Sequence, residues 1–265
     1  MRAPMPPSDS VAAMPMSSPK TTPRKPSSAR STSSTQMREH PAGRASIAGY
    51  VDTLGFVALF GLFTAHVTGN FILIGSGLAG VGQGLAIKWL AFPSFIAGIV
   101  VARVLDHRMR QLGHGVRARS LYALQAVLLA GFMLAGVMAS PIADADAPRT
   151  ILCGLLGAAA MGVQNAHARL TARSVVANTV MTGNVTQAVI DAFDWLVPLA
   201  APAEREAARV RLRRTLPPVA GFALGAGAGA MAYLFAAFWA LALPLAVLCF
   251  LAYQSGRPDE RPTSR

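Results

Sequence analysis

Eight apolar runs follow one another along this chain, at residues 45–63, 71–84, 88–105, 119–140, 149–167, 179–198, 217–235 and 238–253. A helix needs about 20 residues to cross the hydrocarbon core of a bilayer, with a range of about 17 to 25. Runs 45–63, 119–140 and 149–167 meet that length, and the stretch 221–253 is long enough for a hairpin turning near residues 236–238, with Pro244 kinking its second arm. Such a succession predicts an all-α fold, a polytopic helical membrane bundle of six to eight spans. Only 14% of the residues are charged, against about 25% in soluble domains. The formal charge of +12 has its basic residues between the apolar runs, as membrane-flanking loops do, so the expected partner is the lipid bilayer and not nucleic acid.

Residues 1–44 are rich in Ser, Thr and Pro, with seven basic residues against two acidic ones. Such a segment buries too little apolar surface to offset its ordering entropy, and it reads as a disordered tail. The membrane domain is 45–253, with halves at about 45–140 and 149–253, and 254–265 form a short polar tail. Residues 103–119 carry five arginines against Asp106 alone and belong on the cytoplasmic side; Asp144 and Asp146 suit the outer side. If the basic N-terminus is also inside, an even number of crossings separates it from Arg103. Either the short run 71–84, interrupted by five glycines, does not cross on its own, or the N-terminus is outside.

The two halves share a polar signature. Val67-Thr68-Gly69-Asn70 matches Met181-Thr182-Gly183-Asn184 at an offset of 114, Gly49-Tyr50-Val51-Asp52 corresponds to Gly162-Val163-Gln164-Asn165 at 113, and Phe95-Ile96-Ala97-Gly98 resembles Phe222-Ala223-Leu224-Gly225 at 127. Three matches in the same order predict a duplication, with the two Thr-Gly-Asn blocks in equivalent places. Duplicated transporters place their sites at the repeat interface, often where helices are broken.

The stretch Gly49-Tyr50-Val51-Asp52-Thr53-Leu54-Gly55-Phe56, followed by Phe63-Thr64-Ala65-His66-Val67-Thr68-Gly69-Asn70, resembles the opening motif of the YoaK-like family of bacterial inner-membrane proteins. Met161-Gly162-Val163-Gln164-Asn165-Ala166 and Thr179-Val180-Met181-Thr182-Gly183-Asn184-Val185-Thr186 resemble its second motif. The resemblance covers about residues 45–253. It implies an integral protein of the bacterial inner (plasma) membrane, of uncharacterised activity. Family members often carry Asn where this chain has His66.

Polar residues inside the apolar runs are the candidate substrate- or ion-binding site: Asp52, His66, Thr68, Asn70, Gln164, Asn165, Thr182 and Asn184. A carboxylate at the centre of a membrane helix costs about 2.5 to 3.5 kcal/mol on insertion scales, so Asp52 is expected to face the interior, within reach of Gln164 or Asn165. His66 lies 14 residues from Asp52, about 21 Å along a continuous helix; contact requires the chain to fold back at or after Gly61. Otherwise His66 is an interfacial residue with one backbone bond. The Thr-Gly-Asn blocks either cap the helices that follow or bind a ligand at a helix break. Gln164 and Asn165 either line a pathway or join helices. Asp191, Asp194 and Trp195 read as an interfacial rim, residues 204–214 as a surface helix, and Gly221, Gly225 and Gly229 as a packing face.

Cys153 and Cys249 form no CxxC and no metal-ligand spacing. With no nucleophile elbow, phosphate loop or HExxH either, the chain is not expected to be an enzyme, and neither cofactor nor metal is expected. The sequence therefore favours a small secondary transporter or permease moving a small molecule or ion. The alternative is a non-transporting scaffold or partner protein.

Overall fold

The computed structural model describes residues 41–171, 181–197 and 201–255. Of the expected disordered tail, residues 1–40 lie outside the described residues, whereas 41–44 form the first turn of a helix; residues 256–265 also lie outside. The described residues fold as eight α-helices and no strands: α1 (Pro41–Ala58), α2 (Gly69–Leu78), α3 (Leu85–Arg108), α4 (His114–Ala139), α5 (Pro148–Thr171), α6 (Met181–Leu196), α7 (Pro202–Ala236) and α8 (Ala242–Ser255).

Four stretches are long and apolar enough to cross a bilayer: Leu85–Arg108, His114–Ala139, Pro148–Leu170 and Pro202–Ser255. The last holds two helices joined where Ala237 takes a positive φ and residues Ala237–Leu241 wind into a 3-10 turn. Pro244 sits in the first turn of α8, where a missing N–H leaves no bond unmade, so it starts that arm and does not kink it. The basic segment 204–214 is not a separate surface helix. It is continuous with the apolar part of α7 through Pro217 and Pro218.

Backbone proximity organises the bundle. Gly221, Gly225 and Gly229 of α7 press on the carbonyls of Ala42, Ser46 and Tyr50, so α1 and α7 run parallel. Similarly, the Ser94 hydroxyl donates to the Leu155 carbonyl at 2.7 Å, Gly98 presses on the carbonyl of Ala159, and Ala102 packs with Val163. Thus α3 and α5 also run parallel. The α8 helix returns beside α4, with Phe238 against Gly136 at one end and the Ser255 carbonyl against Gly115 at the other.

Two ends follow from these contacts. Buried Asp106, at the end of α3, accepts from Arg117 Nε at 2.9 Å and Arg103 at 3.1 Å, with Arg110 at 3.9 Å. Arg44, at the start of α1, reaches Tyr122 near the start of α4 and His167 near the end of α5. The start of α1 and the arginine-rich segment therefore share one end. Gly84 meets Ala145 at the other. The α1–α2 pair makes a single broken traverse, so two traverses separate the start of α1 from Arg103 and the short Gly-rich run does not cross alone. Among the described residues, α1–α2, α3, α4, α5, α7 and α8 each run from one of these ends to the other.

Two outcomes test this packing. Gly225→Ala places a methyl against the Ser46 carbonyl and should destabilise the fold by about 1–3 kcal/mol, whereas Gly227→Ala, with open space around its added carbon, should be near neutral; equal melting temperatures in detergent would contradict it. Single cysteines at Leu112 and Gly82 in a background lacking Cys153 and Cys249 should label from opposite sides of the membrane, with residue 112 cytoplasmic.

Candidate polar site at the α1–α2 elbow

After Ala58 the chain leaves the helix, and Phe60 and Gly61 take positive φ values of 52° and 83°. That reversal returns residues 63–66 to the middle of α1. There Asp52, buried at 3% exposure, collects them. Its Oδ1 accepts the backbone N–H of Thr64 and of Ala65, both at 2.7 Å, and the Thr64 hydroxyl at 3.3 Å. Its Oδ2 lies 2.8 Å from Nδ1 of His66. Both carboxylate oxygens thus have partners inside an apolar bundle. The fold-back at Gly61 thus brings Asp52 and His66 into direct contact, so His66 is not an interfacial residue with a lone backbone bond.

Asn70 secures the other side of the elbow. Its Oδ1 accepts from Phe63 N–H at 3.0 Å, and its Nδ2 donates to the Phe63 carbonyl at 2.8 Å. Thr68 occupies the N-cap of α2 but makes no side-chain capping bond and is exposed. The capping expectation therefore fails for Thr68, and Asn70 acts by closing a loop. In the second block Thr182 is exposed, its carbonyl accepting from Thr186, while Asn184 is buried and engaged.

The expected link between Asp52 and Gln164 or Asn165 is not formed. Gln164 instead accepts from Gln125 Nε2 at 2.7 Å and donates to the Arg44 carbonyl at 2.8 Å. Asn165 donates back to the Met161 carbonyl of its own helix at 3.1 Å. Four donors from residues 64–66 already surround Asp52, and the local elbow wins over the distant amides.

Sequence reasoning missed a second polar cluster. Arg44 donates to the Tyr122 hydroxyl at 3.2 Å, lies 3.4 Å from His167 Nε2, and stacks over the Tyr122 ring at 5.8 Å. With Gln125 and Gln164 this ties α1, α4 and α5 together, and all five residues are buried. The charge of Arg44 at a helix start was the available signal, masked by its assignment to the tail. At the opposite end a cleft of about 440 Å³ is lined by residues including Lys88, Asp144 and Asp146, and buried Lys88 donates to the Gln83 carbonyl. None of the eight candidate residues lines it. Asp191 also departs from expectation: it is fully buried, not part of a rim, and accepts from Arg211 at 2.8 Å and Gln187 at 3.0 Å. Among the described residues no group of three or more His, Cys, Asp or Glu is placed to hold a metal ion.

The profile of the DUF1275 family, proteins of unknown function, matches residues 44–254. The chain belongs to this family. A curated relative, the UPF0700 transmembrane protein YoaK of Bacillus subtilis (strain 168), is 28% identical over 145 residues, 54% of this chain and 62% of that protein. The matched part thus spans less than two thirds of the relative's length. No solved structure matches. With apolar helices of spanning length and a transmembrane relative, the protein is an integral membrane protein, as the motifs around Asp52 and Asn165 implied.

Asn70→Leu removes both bonds to Phe63 and leaves two backbone groups unmet, each worth about 1–3 kcal/mol when buried. The variant should melt earlier in detergent and expose residues 60–68 to protease. An unchanged cleavage pattern and melting temperature would show that the elbow does not depend on Asn70.

Proposed function

We propose that the protein is a small secondary transporter or permease of the bacterial inner membrane, built from two halves of opposite orientation. The observation that carries this reading is a paired set of backbone contacts. Gly225 meets Ser46 as Gly98 meets Ala159, and Gly49 meets Phe222 as Gly162 meets Phe95. Every residue of one set maps onto the other at the offsets of 113 and 127 seen in the sequence. The α1 helix leaves the arginine-rich end while its counterpart α5 arrives at it, so the equivalence inverts direction. The Thr-Gly-Asn blocks agree, each with an exposed Thr and a buried Asn. Inverted repeats of this kind suit alternating access, in which one half rocks against the other around a site near broken helices.

The site in this reading comprises Asp52, His66, Thr68 and Asn70 from the first half and Gln164, Asn165, Thr182 and Asn184 from the second. Transport is the activity proposed. The scaffold alternative draws on Asn70, Gln125 and Gln164, whose polar groups bond within the bundle.

Counterflow in proteoliposomes tests the proposal with radiolabelled amino acids, organic acids, nucleosides, sugars and monovalent cations. One class should accumulate against its own preloaded, unlabelled form. Failure of every class with folded protein would favour the scaffold.

A further inference from the structure

The chemistry left open at the elbow is a single imidazole nitrogen. Asp52 receives three bonds on Oδ1 and the His66 contact on Oδ2. Oδ1 is already taken up by two backbone N–H groups and a hydroxyl, which leaves Oδ2 as the acceptor that faces the ring. Its demand for a donor fixes His66 as the Nδ1–H tautomer. Nε2 is then a lone pair. It is buried, and no hydrogen-bond partner for it occurs among the described residues. The ring is edge-on to Phe222 of α7, with centroids 4.9 Å apart. Among the described residues, α1 sets ionisable Asp52 against the imidazole and α7 sets uncharged Phe222 against it.

We infer that the Asp52–His66 pair is the proton-binding site of this protein: the proton lands on His66 Nε2, and Asp52 is the positioning residue that selects the tautomer and balances the charge. In the empty state the pair carries one negative charge; loaded, it is an imidazolium–carboxylate pair with no net charge. Loading also turns Nε2 from acceptor to donor beside Phe222, at the contact between the elbow and α7. The reading limits the stoichiometry. At the offsets of the repeat, Asp52 corresponds to Asn165 and His66 to Val180, so the second half offers no equivalent pair and each chain binds one proton here. That this proton drives solute movement rests on the transport reading; that it binds does not.

The test is titration of ¹⁵N-histidine-labelled full-length protein in lipid nanodiscs, with His66→Gln assigning one resonance pair among the five histidines. Wild-type His66 should show the Nδ1–H tautomer when neutral and gain a proton at Nε2 as the pH is lowered. Asp52→Asn should weaken that proton's binding by about tenfold. An Nε2–H tautomer in the wild type, or a ring that never titrates, would overturn the site without needing the Asp52 variant to fold; unchanged affinity in a folded Asp52→Asn protein would overturn the role of Asp52. In pyranine-loaded proteoliposomes, a transported solute should acidify the lumen with wild type, while His66→Gln should not. Solute flux indifferent to pH in the wild type would overturn coupling and leave transport standing. Intact titration with no solute moved would overturn transport and leave the proton site standing.

Discussion

The backbone of a membrane protein has no water to fall back on, and the stretch between α1 and α2 is where this chain meets that constraint most sharply. Residues 59–68 are not helical, yet Leu59, Leu62, Thr64, Ala65 and Val67 are buried. Non-helical backbone at such a place persists only when its donors and acceptors are met inside the protein. Asp52 takes the N–H groups of Thr64 and Ala65, and Asn70 takes both polar groups of Phe63. Those two side chains make the elbow, and the elbow sets the position of His66, the direction of α2 and the parity of the whole topology.

Three buried carboxylates solve the same problem of burial in different ways. Asp106 is ringed by arginines and clamps the α3–α4 connection. Asp191 pairs with Arg211 and holds α6 to α7. Both have guanidinium partners of fixed charge, which suits a structural clamp. Asp52 alone of the three faces a histidine, a partner whose ring can be neutral or charged. The contrast lies in the partner and not in burial, for all three are at most 3% exposed.

Much of the helical architecture was legible, because run length and hydropathy follow directly from what lipid tolerates. The turn at residues 236–238 and the packing face of Gly221, Gly225 and Gly229 could be read from local pattern. The Asp52–His66 contact was legible only conditionally, since it hinged on a reversal at Gly61 that periodicity cannot reveal. The partners of Gln164 and the setting of Asp191 were not legible. Each depends on a residue of another helix, 39 positions away for Gln125 and Gln164 and 20 for Asp191 and Arg211, and single-sequence periodicity holds no information on such pairs. Arg44 was assigned to the tail because a helix start has no apolar signal of its own.

The parallel pairing of α1 with α7 also bears on how the protein is made. Ser46 and Gly225, in contact in the finished fold, are separated by most of the chain's synthesis, so α1 reaches the membrane long before its principal neighbour has been translated. Until then the helix that carries Arg44 and Asp52 holds an unpartnered small-residue face among lipids, and the bundle closes last where it begins. Neither half can complete its own packing, and a truncation before α7 would strand α1 even with every residue of the elbow in place.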